Sequence, residues 1–481
     1  MSASVWDLIV VGSGPAGQKA AICAAKAGKR VLVIEQEIGV GGACVHRGTV
    51  PSKTLRETAL AITSFRRRSG HVIEIDMPES LQVASLLSRM DEVVVAHERF
   101  IDDQLARNHV ELWRGKARLM SPHEVEVTGV HRDVRRATAE LLFIATGSRP
   151  RTPPGIPIDH EHVLDSDSVL SMRYLPKSLV VLGSGVIASE YASIFAALGV
   201  KVTMLDRAAR PLAFLDPEMS MRFLEAFERM GGTFLGGSRA ADVAFDGLCT
   251  VSVKLENGTV VESEKVLVAL GRVANVEDLD IGAAGLAVSE AGVIPVDATC
   301  ATKIPGIYAV GDVIGPPSLA STAMEQGRRA VCHALGLPVT GSTEVSPIGV
   351  YTIPEISQVG LTEDQAKLRY GGAVVGRARF DELTRGQIAG AKDGLLKLVC
   401  DPTGRRIVGV HIIGEGAAEL VHTGQMAMLG NLEVDVFVEN TFNFPTLAEG
   451  YRVAALEIVG KRPKATGDRE VAVSSTRRRV A

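Results

Sequence analysis

Two glycine-rich hexapeptides are the parts of this sequence best suited to hold a phosphate: Gly12-Ser13-Gly14-Pro15-Ala16-Gly17 and Gly183-Ser184-Gly185-Val186-Ile187-Ala188. In the first, Gly12 permits a tight turn, Gly14 lets a pyrophosphate approach the backbone, and Gly17 lets a helix pack closely on a strand. The helix start then offers free N–H groups and a positive dipole end to the anion. Glu35, 23 residues after Gly12, suits the hydroxyls of a ribose. In the second hexapeptide Ala188 takes the third small position, and Asp206 suits the ribose of NAD. Arg207 follows directly and Arg210 is near. An acid favours NAD and an arginine favours NADP, so this site reads as open to both. The other reading of Arg207 is a solvated surface residue.

Such loops work only between a strand and a helix. Leu8 to Val11 is an apolar run that suits a buried parallel strand, and an Ala-rich helical stretch follows from about Gln18 to Ala27. Gly28 fits the helix end, and Val31 to Ile34 reads as the next strand. The same events recur 171 positions later: apolar Leu179 to Leu182, a helix from about Ser189 to Leu198, and a strand from Val200 to Leu205. The runs LLFIATG, ending at Gly147, and VLVALG, ending at Gly271, each close one nucleotide-binding half. Pro150, Pro153, Pro154 and Pro157 mark a crossover. From Val345 strand-like runs precede helical ones, as in an α+β domain. The expected fold is therefore α/β, with two Rossmann-like dinucleotide-binding domains and a C-terminal α+β domain. The first domain spans 1–150 and resumes over 275–344. The second spans 151–274, the α+β domain 345–461, and a disordered basic tail 462–481.

The segment from Gly41-Gly42 through Cys44 and Thr49 to Lys53 resembles the active-site helix of the FAD-dependent disulfide reductases. Those proteins carry two cysteines separated by four residues. Here Cys44 is the first, and Thr49 stands where the second would be. A hydroxyl cannot shuttle electrons, so this chain cannot form that disulfide. The reductases also carry His-Pro near the C-terminus with a Glu four residues after the Pro. This chain reads Phe444-Pro445, then Glu449, and phenylalanine has no proton to give. Thiol and base are lost together. The stretches CVHRGTVPSKTLRE from Cys44, EYASIFAALG from Glu190, GVYTIPEISQVG from Gly349 and FNFPTLAEGYRVAAL from Phe442 resemble one branch of that family, the soluble pyridine nucleotide transhydrogenases. The resemblance covers about residues 5 to 460.

The resemblance implies FAD held between two nucleotide domains, with the third domain making a homodimer or a larger homo-oligomer. It implies that Asp312 bonds the ribityl chain of FAD, that Ala320 meets the isoalloxazine and that Gly115 meets the adenosine part. Gly41, Gly42 and Cys44 then line the flavin. Lys53 and Glu190 resemble the family's ion pair beside flavin and nicotinamide, where a lysine meets the charge that develops on hydride transfer. The bland reading of Lys53 is an ordinary helix salt bridge. Cys44 is read as a small buried hydrophobe, with a reactive thiol as the alternative. His46 is next to it in sequence, but such neighbours on a helix do not face each other.

The bulk composition fits this reading. The chain has 481 residues, 46 % hydrophobic and 22 % charged, with a net charge of −4, so it carries no electrostatic footprint for nucleic acid. The clusters Arg66-Arg67-Arg68 and Arg477-Arg478-Arg479 read as solvated surface and tail. No apolar run reaches the roughly 18 residues of a membrane helix, and no signal peptide is expected. The six cysteines form no CxxC pair and no metal cluster, which suits the cytoplasm. The expected reaction is NADPH + NAD⁺ ⇌ NADP⁺ + NADH, with the substrates alternating in one site. The rivals are an NAD(P)H dehydrogenase with a quinone acceptor, a reductase using Cys44 alone, and a flavin-bound sensor without turnover.

Overall fold

The computed structural model describes residues 4–69, 83–341, 345–391 and 393–463. The side chains of Arg66-Arg67-Arg68, and positions 464–481 with the second arginine cluster, lie outside the described residues. Contacts divide the chain into two units. One is Met1–Thr343 with Val350–Glu355, and the other is Glu344–Gly349 with Ile356–Ala481.

The first unit begins β1 (Ser4–Val11), α1 (Pro15–Lys26), β2 (Val31–Glu35), α2 (Gly42–His46), α3 (Thr49–Ser69) and α4 (Val83–Arg107). β3 (Glu111–Arg114), β4 (Lys116–Ser121), β5 (Glu124–Thr128) and β6 (Val134–Ile144) complete most of a seven-stranded sheet, ordered β3-β2-β1-β6-β5-β4. β1 runs parallel to both β2 and β6. Its alternating side chains fill two cores. Leu8 and Val10 join Ala20, Ala24 and Val33 on one face, while Ile9 and Val11 join Leu32, Ile34 and Leu119 on the other. Each such side chain contributes about 2 kcal/mol by leaving water, which is why β1 is apolar on both faces.

The second nucleotide sheet is five-stranded and parallel. It contains β8 (Val163–Asp165), β9 (Ser178–Leu182), β10 (Lys201–Asp206), β11 (Thr233–Gly236) and β15 (Lys265–Val268), in the order β11-β10-β9-β15-β8. α5 (Val186–Ala197) connects β9 to β10, and α6 (Pro217–Arg229) connects β10 to β11. A three-stranded antiparallel sheet of β12 (Ala240–Phe245), β13 (Val251–Leu255) and β14 (Val260–Ser263) is inserted before β15. The two chain crossings between the nucleotide sheets pair as an antiparallel ribbon, β7 (Ser148–Pro150) with β16 (Arg272–Ala274). β17 (Ile307–Ala309) then rejoins the first sheet beside β6, and α7 (Ala320–Ala334) packs along α1.

Both fingerprint helices begin three residues earlier than their periodicity suggests, at Pro15 and Val186. The last residues of each glycine motif form the first helical turn, with Gly14 and Gly185 as N-caps, and Pro15 is pre-set for the first position.

The second unit is built on a sheet ordered β18-β19-β22-β21-β20. Its strands are β18 (Ile348–Val350), β19 (Ile356–Gly360), β20 (Val374–Arg379), β21 (Leu395–Cys400) and β22 (Ile407–Ile413), antiparallel from β19 to β20. α8 (Glu363–Tyr370) opens with a capping box between Thr362 and Gln365. α9 (Thr384–Ala389), α10 (Ala417–Leu429), α11 (Val436–Glu439) and α12 (Glu449–Lys461) follow. Tyr451, Ala454 and Ile458 of α12 close the core over Leu396, Leu398 and Phe380. Arg462, assigned to the disordered tail by composition, instead pairs through one guanidinium nitrogen with both oxygens of Asp435, at 2.8 and 2.9 Å.

Candidate functional site

The first fingerprint has the geometry that an anion requires. Gly12 has φ +105°, and a Cβ there would meet the Ala145 carbonyl oxygen at 2.4 Å. A Cβ on Gly17 would lie 1.9 Å from the Gly12 oxygen, so helix and strand can approach only without one. Gly14 differs: a Cβ there would meet nothing within 4 Å. The open side of the turn thus lies at Gly14, beside α1 N–H groups that no side chain caps. The second fingerprint repeats the pattern. Gly183 is confined at φ +111° against the Ala269 oxygen, Gly185 is open, and Ala188 is fully buried.

Glu35 is buried at the end of β2, where its Oε2 accepts from the Ser13 amide at 2.9 Å and the Ser13 hydroxyl at 2.6 Å. Ser13 Oγ in turn accepts from the Gly41 amide at 3.1 Å. This chain of bonds fixes the Gly41-Gly42 turn against the fingerprint, and a Cβ on Gly42 would stand 3.0 Å from the Gly14 Cα. Gly115 donates to the Glu35 carbonyl at 2.8 Å. It lines an open cleft with Gln36, Glu37, Lys116 and Thr128, at the end of β2.

Asp312 is half-buried in a short turn before α7. The Ser148 hydroxyl donates to its Oδ2 at 2.7 Å, and Arg272 donates to that hydroxyl at 2.8 Å and to the Ser148 carbonyl at 2.7 Å. Sequence reasoning missed both supporting residues. Their only signal is that each follows a strand-ending glycine, Gly147 or Gly271, on the paired ribbon. Ala320 is the first residue of α7, whose N-cap Leu319 offers no side-chain cap.

Lys53 of α3 and Glu190 of α5 are brought together, with Nζ 2.7 Å from Oε2. Glu190 is buried, and its Oε1 accepts from the Tyr351 amide at 2.9 Å. The Tyr351 ring lies under the ammonium, 4.9 Å from Nζ to centroid. Tyr351 therefore holds both partners, a role its place in the YTIPE run did not disclose.

Cys44, on α2, is half-buried, and burial raises its thiol above the ordinary range. The Thr49 hydroxyl and Lys53 oppose that rise only in part. Position 49 thus does lie beside the cysteine, but as an alcohol. His46 turns away and bonds the Val40 carbonyl at 2.8 Å. Phe444 is exposed, and Glu449 opens α12.

Asp206 ends β10 and accepts from the Ala208 amide at 2.8 Å. Arg207 is exposed. Arg210 is committed to the carbonyls of Ala213 and Leu215, at 2.8 and 3.4 Å, whereas Arg207 has no hydrogen bond or ion pair among the described residues. The described residues contain no cluster of three or more metal-ligating side chains and no helix long and apolar enough to cross a membrane.

Residues 6–327 match the model of the pyridine nucleotide-disulphide oxidoreductase family, and residues 346–455 match that family's dimerisation domain. The chain is 43% identical over 457 residues to a soluble pyridine nucleotide transhydrogenase of Mycobacterium tuberculosis, spanning 95% of this chain and 97% of that one. A protein of the same name from Erwinia tasmaniensis is 39% identical over 468 residues, spanning 94% and 97%. Among solved structures, LpdA from Mycobacterium tuberculosis superposes with a TM-score of 0.87 at 27% identity, covering 94% of this chain and 99% of that one. The HOCl-induced flavoprotein disulfide reductase RclA from Escherichia coli gives 0.84 at 26%, over 94% and 99%. With its two glycine fingerprints, its Lys53–Glu190 pair and these matches, the chain belongs to the pyridine nucleotide-disulphide oxidoreductases.

Proposed function

We propose that this chain transfers hydride from NADPH to NAD⁺ by way of bound FAD, with the two nucleotides taking turns in one site. The observation that carries the reading is Thr49 beside Cys44 while the Lys53–Glu190 pair stays intact: the thiol relay is lost and the charge beside the flavin is kept. The names of the relatives support the same activity.

FAD, when bound, would supply the hydride chemistry between the two nucleotides. Gly12, Gly14 and Gly17 shape the turn that receives its pyrophosphate, Glu35 fixes that turn, and Gly115 stands at the adenosine end. Gly41 and Gly42 extend the same wall, with Cys44 as an apolar neighbour. Ser148 and Arg272 hold Asp312, which would bond the ribityl chain, and Gly147 and Gly271 begin the ribbon that carries them. Ala320, the first residue of α7, would meet the isoalloxazine. Lys53 places positive charge where negative charge develops, and Glu190 with Tyr351 keeps it there. Gly183, Gly185 and Ala188 receive the nicotinamide dinucleotide. Asp206 accepts from the ribose of NAD, and Arg207 meets the 2′-phosphate of NADP.

The dimerisation domain supports a homodimer. Met426, Leu432, Phe444 and Leu456, all exposed on the second unit, give such an interface apolar surface. A cytoplasmic setting is supported by the six cysteines, all free. Initial-rate kinetics test the one-site scheme. Parallel double-reciprocal lines for NADPH against NAD⁺ are expected, and intersecting lines, the sign of a ternary complex, contradict it.

A further inference from the structure

A second pair of thiols lies outside the flavin site. Cys23, on α1, and Cys332, on α7, are 309 positions apart, and their Sγ atoms are 3.9 Å apart. The two helices are in direct contact: a Cβ on Gly327 of α7 would overlap the Ala16 carbonyl oxygen of α1 at 2.2 Å. The Cys23 thiol also faces the Arg328 carbonyl at 3.8 Å, and Arg328 Nη1 lies 3.9 Å from Cys332 Sγ. Glu325 holds that guanidinium in place with two hydrogen bonds, at 2.9 and 2.6 Å. Cys332 is buried, whereas Cys23 is partly exposed. A shift of about 2 Å brings the sulfurs to bonding distance.

We infer that Cys23 and Cys332 form a redox dithiol that closes to a disulfide under a hydroperoxide and staples α1 to α7. Cys23, the accessible thiol, gives up its proton and attacks the outer oxygen of ROOH. The O–O bond breaks, ROH leaves, and Cys23 becomes a sulfenic acid. The Cys332 thiol, 3.9 Å from Arg328 Nη1, then gives up its proton and attacks that sulfur. The S–S bond forms and the hydroxyl leaves as water. Two thiols lose two electrons, and the peroxide gains them. A thiol or NADPH-driven dithiol reductant reverses the change.

The staple acts on the flavin half of the molecule without entering its site. Cys23 lies nine residues after Gly14 along α1, roughly 14 Å from that turn. α7 carries Gln326, whose Oε1 accepts from the Gly311 amide at 2.9 Å, next to Asp312. Joining the helices therefore fixes two elements that frame the FAD. Burial, with Cys332 adding to it, holds the Cys23 thiol at about 11, so closure is slow at neutral pH and quickens as pH rises.

The test uses the FAD-loaded protein, treated with tert-butyl hydroperoxide, alkylated and mapped by mass spectrometry. The expected product is a linked peptide pair through Cys23 and Cys332, about 2 Da lighter than the two reduced peptides. Its rate of appearance should rise roughly tenfold per pH unit between pH 7 and 9. Cys23→Ser should leave Cys332 reduced, and Cys332→Ser should leave a dimedone-reactive sulfenic acid on Cys23. Recovery of both cysteines unlinked, under conditions that fully oxidise the exposed Cys249, would overturn the inference. The oxidised protein should also release FAD at a higher temperature than the reduced one, a difference absent in Cys23→Ser. Linked peptide with unchanged release would overturn the stapling role.

Discussion

The ammonium of Lys53 and the carboxylate of Glu190, 137 positions apart in sequence, meet at 2.7 Å, and Tyr351 binds both. Glu190 is almost wholly buried while Lys53 keeps a quarter of its side chain exposed. The pair is thus anchored at its acidic end and open at its basic end, where a cofactor would gain from the charge.

Removing either partner should slow the reductive half-reaction. Lys53→Ala is expected to lower the rate at which NADPH bleaches the flavin by about 100-fold. Glu190→Gln, which keeps the Tyr351 contact but frees the lysine, should lower it about tenfold. Stopped-flow absorbance reads both. Unchanged rates with a full complement of flavin would reduce the pair to a packing feature.

The neutral, raised thiol of Cys44 makes its loss silent. Cys44→Ser should leave transhydrogenase turnover within about twofold of the parent, and reduction should produce no long-wavelength thiolate–flavin band in either protein. Thr49→Cys should create a pair that loses two thiols on mild oxidation. It should still fail to reduce disulfide substrates well, because Phe444 supplies no proton.

Nucleotide choice should follow Asp206 and Arg207. Arg207→Ala is expected to raise the KM for NADPH about tenfold, near 1.4 kcal/mol, and to leave that for NADH nearly unchanged. Equal effects on both nucleotides would show that the arginine does not read the 2′-phosphate. Arg210→Ala should act on the loop it holds, and so on both nucleotides alike.

Acid stability of the second unit should depend on Glu363. Burial alone would raise this carboxyl, but hydrogen bonds from Lys367 and Lys397 outweigh it and hold it at about 2. A depressed folded value stabilises the fold above the unfolded range near 4.5, and that stability is lost as pH falls towards 2. Urea unfolding should therefore show Lys397→Met less stable than the parent by roughly 2 kcal/mol at pH 7, with the gap closing near pH 2. A gap independent of pH would assign the loss to packing.

Much of this site is legible in the sequence because its signals are local. A glycine hexapeptide carries its turn, its approach distance and its helix start within six residues, so Gly12 and Gly183 announce themselves. Thr49 is legible by its spacing from Cys44. The supporting residues act across long separations. Ser148 reaches Asp312 over 164 positions, and Tyr351 reaches Glu190 over 161. No periodicity encodes such pairs. Arg210 is likewise illegible in its detail: it stands near Arg207 in the chain, and its bonds run to the backbone carbonyls of Ala213 and Leu215.

In this chain one flavin passes hydride between two nucleotides with no thiol between them. An anaerobic titration of the FAD-loaded protein tests it directly, with NADPH added first and NAD⁺ second. Bleaching of the flavin is expected first, then full recovery of its absorbance with one NADH formed per flavin. Bleaching that NAD⁺ fails to reverse, while a quinone does, would contradict it.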